Sequence, residues 1–344
     1  MTENERYEKV DMPFYMKHVS PLLPKKILDF HAHAWKMDQW LSLDAFDRSS
    51  PAGYMTTEVE YGVEKLLNDG GRIFPDKIYN AVCFGQPTPT ANTELTNRYL
   101  AAHRQMDQLF PLRVTGKDMV CGEKLRQEMI ENGFFGYKVF LDWVGNDYGD
   151  IRVEDMIGPV EMELADQMGL IVLLHVPGEG RLSDPEVQKG VISLSERYPG
   201  ANIVLAHCGR CYHPMEMKKA VASIKKLENV YLDTSMVMDI TVLEMVFDHI
   251  DSRRILFGTD FPVAAMRGRR VNVMDHWVDV VLEGYPKSSF RVESNDIHAS
   301  FMSYEIVTAV AAAAEMAGIS KDKANDIFYN NGMKLLEKVV RDRC

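Results

Sequence analysis

The amino-acid sequence predicts an α/β protein folded as a closed (β/α)8 barrel. Eight short apolar segments alternate with segments of helical periodicity over most of the chain, and this order is typical of a parallel sheet with right-handed helical crossovers. Four of the apolar segments run directly into a histidine or an aspartate. In a barrel the C-terminal ends of the strands carry the active site, so the two observations together predict one catalytic face.

The predicted strands are short runs rich in Val, Ile and Leu, as fully buried parallel strands are. They cover 27–33, 78–84, 110–114, 136–141, 171–175, 203–207, 230–233 and 255–260. Helical patterns cover 92–109, 118–131, 154–168, 184–198, 214–227 and 240–249. An open doubly wound sheet is the alternative, but it requires a glycine-rich phosphate loop after the first strand. This chain has His31-Ala32-His33 there, which favours the barrel.

Two connections are too long to be simple turns: 34–76 follows the first strand and 261–301 follows the eighth. Both are expected to emerge on the catalytic face, as lids or pocket walls. Aromatic side chains in and beside them either line a substrate pocket or pack the loops onto the barrel; they are Trp35, Trp40, Tyr54, Trp143 and Trp277. We take Trp35 and Trp143 as candidate substrate contacts.

The length of 344 residues accommodates one barrel domain over 26–344, preceded by an N-terminal extension over 1–25. A net charge of −11 argues against a nucleic-acid partner, which would require a basic face. The five cysteines are scattered and odd in number, which favours a reducing compartment over a disulfide framework. No apolar segment suits a signal peptide or a membrane span. We expect a cytoplasmic protein with no membrane partner, and a homo-oligomer remains open.

The residues at the strand ends are those that bind transition metals. His31 and His33 alternate with Ala32, so both side chains point to the same side of the first strand. His175, His207 and Asp260 end three further strands. Imidazole and carboxylate together suit Zn²⁺, Mn²⁺ or Fe²⁺ better than Ca²⁺ or Mg²⁺. The alternative, satisfied core histidines, fits less well, because branched apolar residues otherwise fill a barrel interior.

Several motifs together resemble the amidohydrolase superfamily, and most closely its amidohydrolase-related branch (amidohydrolase 2), which includes aminocarboxymuconate-semialdehyde decarboxylase. The segments that carry the resemblance are Ile27-Leu28-Asp29-Phe30-His31-Ala32-His33, Leu174-His175, Leu205-Ala206-His207, Leu256-Phe257-Gly258-Thr259-Asp260-Phe261-Pro262 and Ile327-Phe328-Tyr329-Asn330-Asn331-Gly332. The resemblance spans residues 26–341 and implies a metal-dependent TIM barrel.

The resemblance also implies a role for each strand-end residue. His31, His33, His175 and Asp260 would bind one divalent transition metal, with Zn²⁺ the first candidate and Mn²⁺ or Fe²⁺ the alternatives. His207 would stand beside the metal as an acid/base or substrate-orienting group, or would bind a second ion. Asp260 would also be catalytic, because it can accept the proton of a metal-activated water.

Lys138 lies within the predicted fourth strand, where a charged side chain is costly unless it faces the barrel mouth or is paired. In binuclear relatives a lysine at this place is carbamylated and bridges two metals, whereas mononuclear relatives can carry it unmodified. We expect one metal, with Lys138 as a polar wall or substrate anchor. A second ion remains open if Lys138 is carbamylated.

The segment after His207 is Cys208-Gly209-Arg210-Cys211. Its cysteine spacing is that of a redox dithiol, but no second pair and no thioredoxin-like unit accompany it, so we interpret it as an active-site loop. Arg210 is a candidate ligand for a substrate carboxylate, with a surface ion pair as the alternative. The basic cluster Arg267-Gly268-Arg269-Arg270 either attracts an anionic substrate or is a solvated loop or subunit contact.

The sequence thus leads to a hypothesis of hydrolysis. The first candidate function is a metal-dependent hydrolase of a small amide, lactone or ester-like substrate, using a metal-activated water. The alternative is a metal-dependent non-oxidative decarboxylase of a small aromatic or unsaturated carboxylate. A non-catalytic barrel is the third possibility, but degenerate relatives lose metal ligands and this chain has kept them all. The expected partner is a small-molecule substrate. If the protein is a decarboxylase, that substrate is a carboxylate.

Overall fold

The structure of the chain is a computed structural model. It describes residues 1–41, 58–86, 88–104, 106–144, 150–285 and 290–342. Tyr54, one of the aromatic residues considered above, lies outside the described residues.

Nine parallel β-segments form the barrel wall in the described part of the chain. They are β1 (Lys26–His33), β2 (Ile78–Phe84), β3 (Leu109–Pro111), β4 (Arg113–Val114), β5 (Gly136–Val139), β6 (Ile171–Leu174), β7 (Asn202–Leu205), β8 (Val230–Asp233) and β9 (Ile255–Leu256). Each pairs with the next along the chain, except that β3 and β4 are the two halves of one barrel strand. Leu112, between those halves, donates its N–H to the Cys83 carbonyl of β2 (2.8 Å). The wall therefore has eight strands.

Backbone hydrogen bonds across the last and first strands close the barrel. Phe30 N–H donates to the Phe257 carbonyl, and His33 N–H to the Phe261 carbonyl, each at 2.8 Å. Asp260 N–H donates in turn to the His31 carbonyl at 2.8 Å. The predicted (β/α)8 barrel is confirmed, and closure places the His31 and Asp260 backbones side by side.

Helices cover the outside of the barrel and both termini. They are α1 (Glu3–Arg6), α2 (Met12–Phe14), α3 (Val63–Ile73), α4 (Thr93–Ala102), α5 (Gly122–Glu131), α6 (Val153–Met156), α7 (Pro159–Met168), α8 (Pro185–Arg197), α9 (His207–Arg210), α10 (Pro214–Ile224), α11 (Ile240–His249), α12 (Met302–Met316), α13 (Lys321–Phe328) and α14 (Asn330–Asp342). The short α9 is an exception among them, because it is a single turn with left-handed backbone that directly follows the strand end. Side-chain caps begin several of them: Asn92, Asp184 and Asp239 each accept a backbone N–H of the first turn. None of the described helices has an apolar stretch long enough to cross a bilayer.

Some predicted element bounds differ from the structure. The helix predicted over 92–109 ends at Ala102, because the chain from Leu109 joins the sheet. The helix predicted over 154–168 is divided into α6 and α7. Proline at position 159 has no N–H for a preceding turn and suits the first turn of a new helix.

The long connection after the eighth strand contains a small sheet that periodicity did not predict. Strands β10 (Gly268–Val273) and β11 (His276–Leu282) are antiparallel, and β12 (Arg291–Ser294) pairs with β11 in parallel. Gly268 is required at its start, because its φ is +151° and a Cβ there would lie 2.1 Å from the Val280 carbonyl oxygen. Arg270 and Asp279 form a buried ion pair across the two first strands (2.7 Å). Arg270 is therefore part of the sheet's interior, not a solvated loop charge.

The segment before β1 packs against the barrel. Tyr15 and Val19 are fully buried within its hydrophobic core, and the buried carboxylate of Asp11 pairs with Arg267 at 2.6 Å. Arg267 also contacts Glu3 at 2.8 Å. These contacts attach the N-terminal residues to the connection after the eighth strand. The division of the chain at residues 25 and 26 stays a prediction.

Candidate active site

The structure brings three of the five strand-end residues into one buried cluster. His31 lies on β1, His207 follows β7, and Asp260 follows β9. One ligand atom from each of them lies within 4.8 Å of the other two. The barrel folds them together because parallel strands all deliver their C-terminal ends to the same face.

His33 shares a carboxylate oxygen with His31. Its Nε2 is 3.1 Å from Asp260 Oδ1, and His31 Nε2 is 3.4 Å from the same oxygen. The other ring nitrogen of His33 lies 3.4 Å from the Gly85 carbonyl oxygen. Both histidines of β1 thus face Asp260, as their alternation with Ala32 predicts.

His175 carries a buried nitrogen that nothing in the described residues satisfies. It directly follows β6, and its ring lies 5.3 Å from that of His207 and 4.3 Å from that of Phe140, centroid to centroid. Its Nδ1 is buried and has no hydrogen-bond partner among the described residues. A buried polar atom without a partner is costly, and a coordinated metal ion would satisfy it.

Asp233 and Ser235 support the cluster from β8 and the residues after it. Asp233 Oδ2 lies 2.9 Å from His31 Nδ1, and Asp233 Oδ1 accepts the His207 backbone N–H at 3.0 Å. The Ser235 hydroxyl lies 2.8 Å from His207 Nδ1 and 3.2 Å from His31 Nδ1. These contacts occupy the Nδ1 of both rings and leave each Nε2 for a metal or a substrate.

Sequence reasoning missed Asp233 as a functional residue, although the signal was present. It ends the short apolar run Val230-Tyr231-Leu232 in the same manner as the residues that end the other strands. Asp29 was also missed. It is fully buried in β1 and accepts hydrogen bonds from His31 N–H (3.0 Å), Thr259 N–H (2.9 Å) and the Tyr79 hydroxyl (2.8 Å). It ties the first strand to the segment that carries Asp260.

Left-handed backbone is concentrated at the catalytic face. His207, Cys208, Gly209 and Arg210 have φ of +55°, +51°, +70° and +60°, and Asp260 has φ of +74°. Each non-glycine residue in this region costs about 1–2 kcal/mol. The turn is held in part because Gly209 and Arg210 both donate their N–H to the Ala206 carbonyl (2.9 and 3.2 Å). Such strain clusters where a fold positions reactive side chains.

Burial and the neighbouring charges keep the histidines of the site neutral and Asp260 ionised. Burial lowers the pKa of His31, reinforced by Lys138, and the pKa of His175, reinforced by Arg210, both well below the usual value. Burial also lowers the pKa of His207 to about 4 and that of His33 below its usual value. Although burial opposes it, the hydrogen bond with His33 and the nearby His31 and His207 hold the pKa of Asp260 at about 2. Neutral imidazoles and an ionised carboxylate are the forms that bind metal.

Lys138 on β5 lies at the edge of the cluster. Its Nζ is 3.0 Å from His31 Nε2 and 4.4 Å from the centre of the Phe84 ring. Burial lowers the pKa of Lys138 to about 8, while Asp260 and Asp233 act in the opposite direction. The amine therefore faces the site, and its carbamylation stays a prediction.

The candidate substrate contacts lie at different depths. Arg210 donates through Nη1 to the carbonyl of Val176, next to His175, at 2.9 Å. Trp35 is 1% exposed, and its indole N–H donates to the Val59 carbonyl at 3.0 Å. Trp143 follows β5 and is partly buried, and its indole N–H has no acceptor among the described residues. Substrate contact by each of the three stays a prediction.

The two cysteines of the loop after β7 are free and buried. Burial raises the pKa of Cys208 well above its usual value and the pKa of Cys211 to about 12. A thiol held protonated is a poor nucleophile, which agrees with the interpretation of this segment as an active-site loop and not as a redox pair.

Taken together, the donors fit a divalent transition metal. The group of His31, His207 and Asp260 offers two imidazoles and one carboxylate. The His175 ring, 5.3 Å from that of His207, adds a buried nitrogen without a partner in the described residues. Such a mixed nitrogen and oxygen set is the donor chemistry of zinc, manganese and iron enzymes.

Comparisons with known proteins agree with the fold. A family model described as "Amidohydrolase" matches residues 28–270. No curated protein matches the chain. Among solved structures, amidohydrolase 2 from Bifidobacterium longum subsp. infantis is 14% identical, with a TM-score of 0.51 over 91% of this chain and 99% of that one.

Two further solved structures carry different activities in their names. 4-Oxalomesaconate hydratase from Rhodopseudomonas palustris is 14% identical, with a TM-score of 0.54 over 92% of this chain and 97% of that one. A 2,6-dihydroxybenzoate decarboxylase in complex with 2,6-dihydroxybenzoate is 12% identical, with a TM-score of 0.53 over 92% of this chain and 99% of that one. At these identities the likeness is one of fold.

Proposed function

This chain belongs to the amidohydrolase family, and from that premise we propose that it is a metal-dependent hydrolase of a small amide, lactone or ester-like substrate. The observation that carries the proposal is the buried cluster of His31, His207 and Asp260, with the orphaned nitrogen of His175 beside it. A non-catalytic barrel would have no reason to keep so many costly buried polar groups at one end of its strands.

One divalent transition metal, with Zn²⁺ the first candidate, would be held by His31, His33, His175 and Asp260. His207 is close enough to take part in the same set. When bound, such an ion supplies a water that ionises near neutral pH and polarises the bond under attack.

The chain's own residues would handle the proton. Asp260, ionised at neutral pH, accepts a proton on its carboxylate. His207 is neutral, and its Nδ1 lies 3.1 Å from the Ser235 carbonyl oxygen, which can only accept, so Nε2 carries the lone pair. Nε2 would take up the proton that Asp260 receives and pass it to the leaving group. Lys138 would form a cationic wall beside His31.

A second candidate is a metal-dependent decarboxylase of a small aromatic or unsaturated carboxylate. The observation that favours it is the presence of two cationic side chains near the strand ends. Lys138 lies beside His31, and Arg210 donates a hydrogen bond to the carbonyl of Val176. Both could hold a carboxylate, and a decarboxylase needs its substrate carboxylate fixed near the metal.

One experiment separates the two candidates. The zinc-loaded protein is assayed for hydrolysis of a panel of small amides, lactones and esters, and in parallel for CO₂ release from aromatic and unsaturated carboxylates. Hydrolytic turnover without CO₂ supports the hydrolase. CO₂ release with no hydrolytic turnover supports the decarboxylase and removes the first candidate.

Two substitutions tie either activity to the cluster. His31→Ala and Asp260→Asn are expected to reduce turnover by about a thousandfold or more, because each removes a metal ligand and Asp260 also accepts the proton. The matched controls are His249→Ala and Asp248→Asn, both exposed on α11. Equal activity in all four variants would contradict both candidates.

A further inference from the structure

Tyr212 lies beside the candidate active site and has no role in the proposal above. It follows His207 by five residues, and its ring centre is 6.0 Å from that of His207. The side chain is nearly buried, at 8% exposed. Its hydroxyl donates no hydrogen bond within the described residues, and it is not one of their fully buried polar atoms without a partner. The hydroxyl therefore lies at the small exposed part of the residue, where a ligand can accept a hydrogen bond from it.

The ring of Tyr212 is held from the small sheet inserted after the eighth strand. The Arg270 guanidinium lies over the Tyr212 ring at 4.5 Å and over the Trp277 ring at 3.8 Å. Trp277 meets Tyr212 edge-on at 5.2 Å. Asp279 fixes Arg270 through two hydrogen bonds (2.7 and 3.0 Å), and Asn272 donates to the Tyr212 carbonyl at 3.1 Å. Strands β10 and β11 thus place a rigid aromatic wall next to His207.

The charges around this wall favour an anion. Burial raises the pKa of Tyr212, so the phenol stays protonated and is a donor at neutral pH, while the positive charges of Arg270, Arg210 and Arg181 act on it. Asp260 acts on it with the opposite sign. A protonated phenol among guanidinium groups is suited to an anionic oxygen acceptor.

Unsatisfied polar atoms follow neighbouring barrel strands. Gln86 follows β2 and Thr115 follows β4; both are at least nine-tenths buried, and each has a side-chain polar atom with no partner among the described residues. Trp143 after β5 adds an indole N–H, which can only donate. The Gln86 amide nitrogen can likewise only donate, whereas the Thr115 hydroxyl can donate or accept.

We propose that Tyr212 is a substrate-contacting residue, and that its hydroxyl, held by Arg270 and Trp277, donates a hydrogen bond to a carboxylate of the substrate. The inference rests on the proposed function, because it places that carboxylate at the mouth of the same metal site. It makes the substrate a small carboxylate that also carries the bond to be broken, and it makes the β10–β11 hairpin a determinant of specificity.

The test compares binding of charged and neutral probes to the zinc-loaded protein by isothermal titration calorimetry. The probes are 2,6-dihydroxybenzoate and isophthalate, each with its uncharged amide. We expect at least one carboxylate to bind the unsubstituted protein more tightly than its amide does. Tyr212→Phe should weaken carboxylate binding by about tenfold or more, as loss of a hydrogen bond to a charged group does, and should leave amide binding unchanged.

Tyr231→Phe is the matched control, because Tyr231 lies on β8 toward the opposite end of the barrel and contacts Arg254 electrostatically. It should bind every probe as the unsubstituted protein does. Metal content and melting temperature, measured for each variant, show that Tyr212→Phe is folded and loaded.

Two results would overturn the inference: carboxylates that bind no more tightly than their amides, or a Tyr212→Phe variant with unchanged carboxylate affinity. Failure of the proposed function is a separate result. A protein that shows the expected Tyr212 dependence but hydrolyses nothing loses the hydrolase assignment and keeps the carboxylate site. A protein that hydrolyses small esters, but whose Tyr212→Phe variant binds the carboxylates as tightly as the unsubstituted protein, keeps the hydrolase assignment and loses this inference.

Discussion

The carboxylate of Asp233 lies 2.9 Å from Nδ1 of His31, although 202 residues separate the two in the chain. Both side chains are buried. The Asp233 carboxylate oxygen accepts a hydrogen bond, so the contact keeps the proton on Nδ1 of His31 and leaves the Nε2 lone pair facing Asp260 and Lys138. A histidine held in this manner is a fixed metal ligand, and Asp233 is a positioning residue for it.

Asp233→Asn should therefore weaken zinc binding by about 10–100-fold, as loss of such a supporting carboxylate does. The affinity is measured by competition with a chromogenic chelator at neutral pH. Asp248→Asn, on the exposed face of α11, is the control. An unchanged zinc affinity in Asp233→Asn would show that His31 does not depend on this contact.

His175→Phe should affect the loaded and the metal-free protein in opposite directions. Zinc affinity should fall, because a ligand is lost. The metal-free protein should gain up to about 1–3 kcal/mol in free energy of unfolding, because the buried Nδ1 without a partner is removed. Urea unfolding with and without chelator measures both effects.

His207→Phe provides the contrast in that experiment. His207 Nδ1 is engaged by Ser235 at 2.8 Å, so this substitution should destabilise the metal-free protein. A His175→Phe protein that loses as much stability as His207→Phe would mean that the His175 nitrogen has a partner after all.

The metal-free protein should lose stability on acidification between pH 6.5 and pH 4. The pKa of His207 is about 4 in the folded protein against the usual 6.5. In that pH range His207 is protonated in the unfolded chain but stays neutral in the folded protein. The free energy of unfolding therefore falls as pH falls. For His207 alone the loss is roughly 3 kcal/mol across the window.

The check is urea unfolding of the chelated protein at several pH values. His207→Gln should flatten the dependence by about 1.4 kcal/mol per pH unit at most. His249→Gln, exposed on α11, should leave it unchanged. A slope that His207→Gln does not alter would contradict the depressed pKa.

Arg267 forms two ion pairs with the N-terminal residues, and the buried pair with Asp11 should stabilise the fold far more than the exposed pair with Glu3. Asp11 is fully buried against Arg267, whereas Glu3 is 56% exposed. Asp11→Ala should cost about 3–5 kcal/mol in free energy of unfolding, because it strips a buried guanidinium of its main partner. Glu3→Ala should cost at most about 1 kcal/mol. Equal losses would mean that Asp11 is not the residue that anchors this segment.

The barrel and its strand-end residues could be predicted from the sequence because both depend on local patterns. A short apolar run that ends in His175 or His207 needs no knowledge of distant residues. The geometry of a barrel then gathers the ends of all its strands on one face. Lys138 was found in the same way, as a charge inside an apolar run.

The supporting contacts could not be predicted in this way, because they join residues that only the closed barrel brings together. Nothing near His31 in the sequence indicates Asp233, and nothing near Thr259 indicates Asp29. The small sheet was missed for a different reason. It is stabilised by the buried ion pair of Arg270 and Asp279. In the sequence, charged residues at these two positions break the apolar and polar alternation of a strand and therefore indicate a solvated loop.

The central claim is that one transition metal binds among the strand-end histidines and Asp260. The most direct test is an anomalous difference map, collected at the zinc absorption edge from crystals of the zinc-loaded protein. We expect one strong peak within bonding distance of His31 and Asp260, and no peak there in crystals of Asp260→Asn. A loaded crystal with no peak at this cluster, or with its only peak elsewhere on the chain, would contradict this claim.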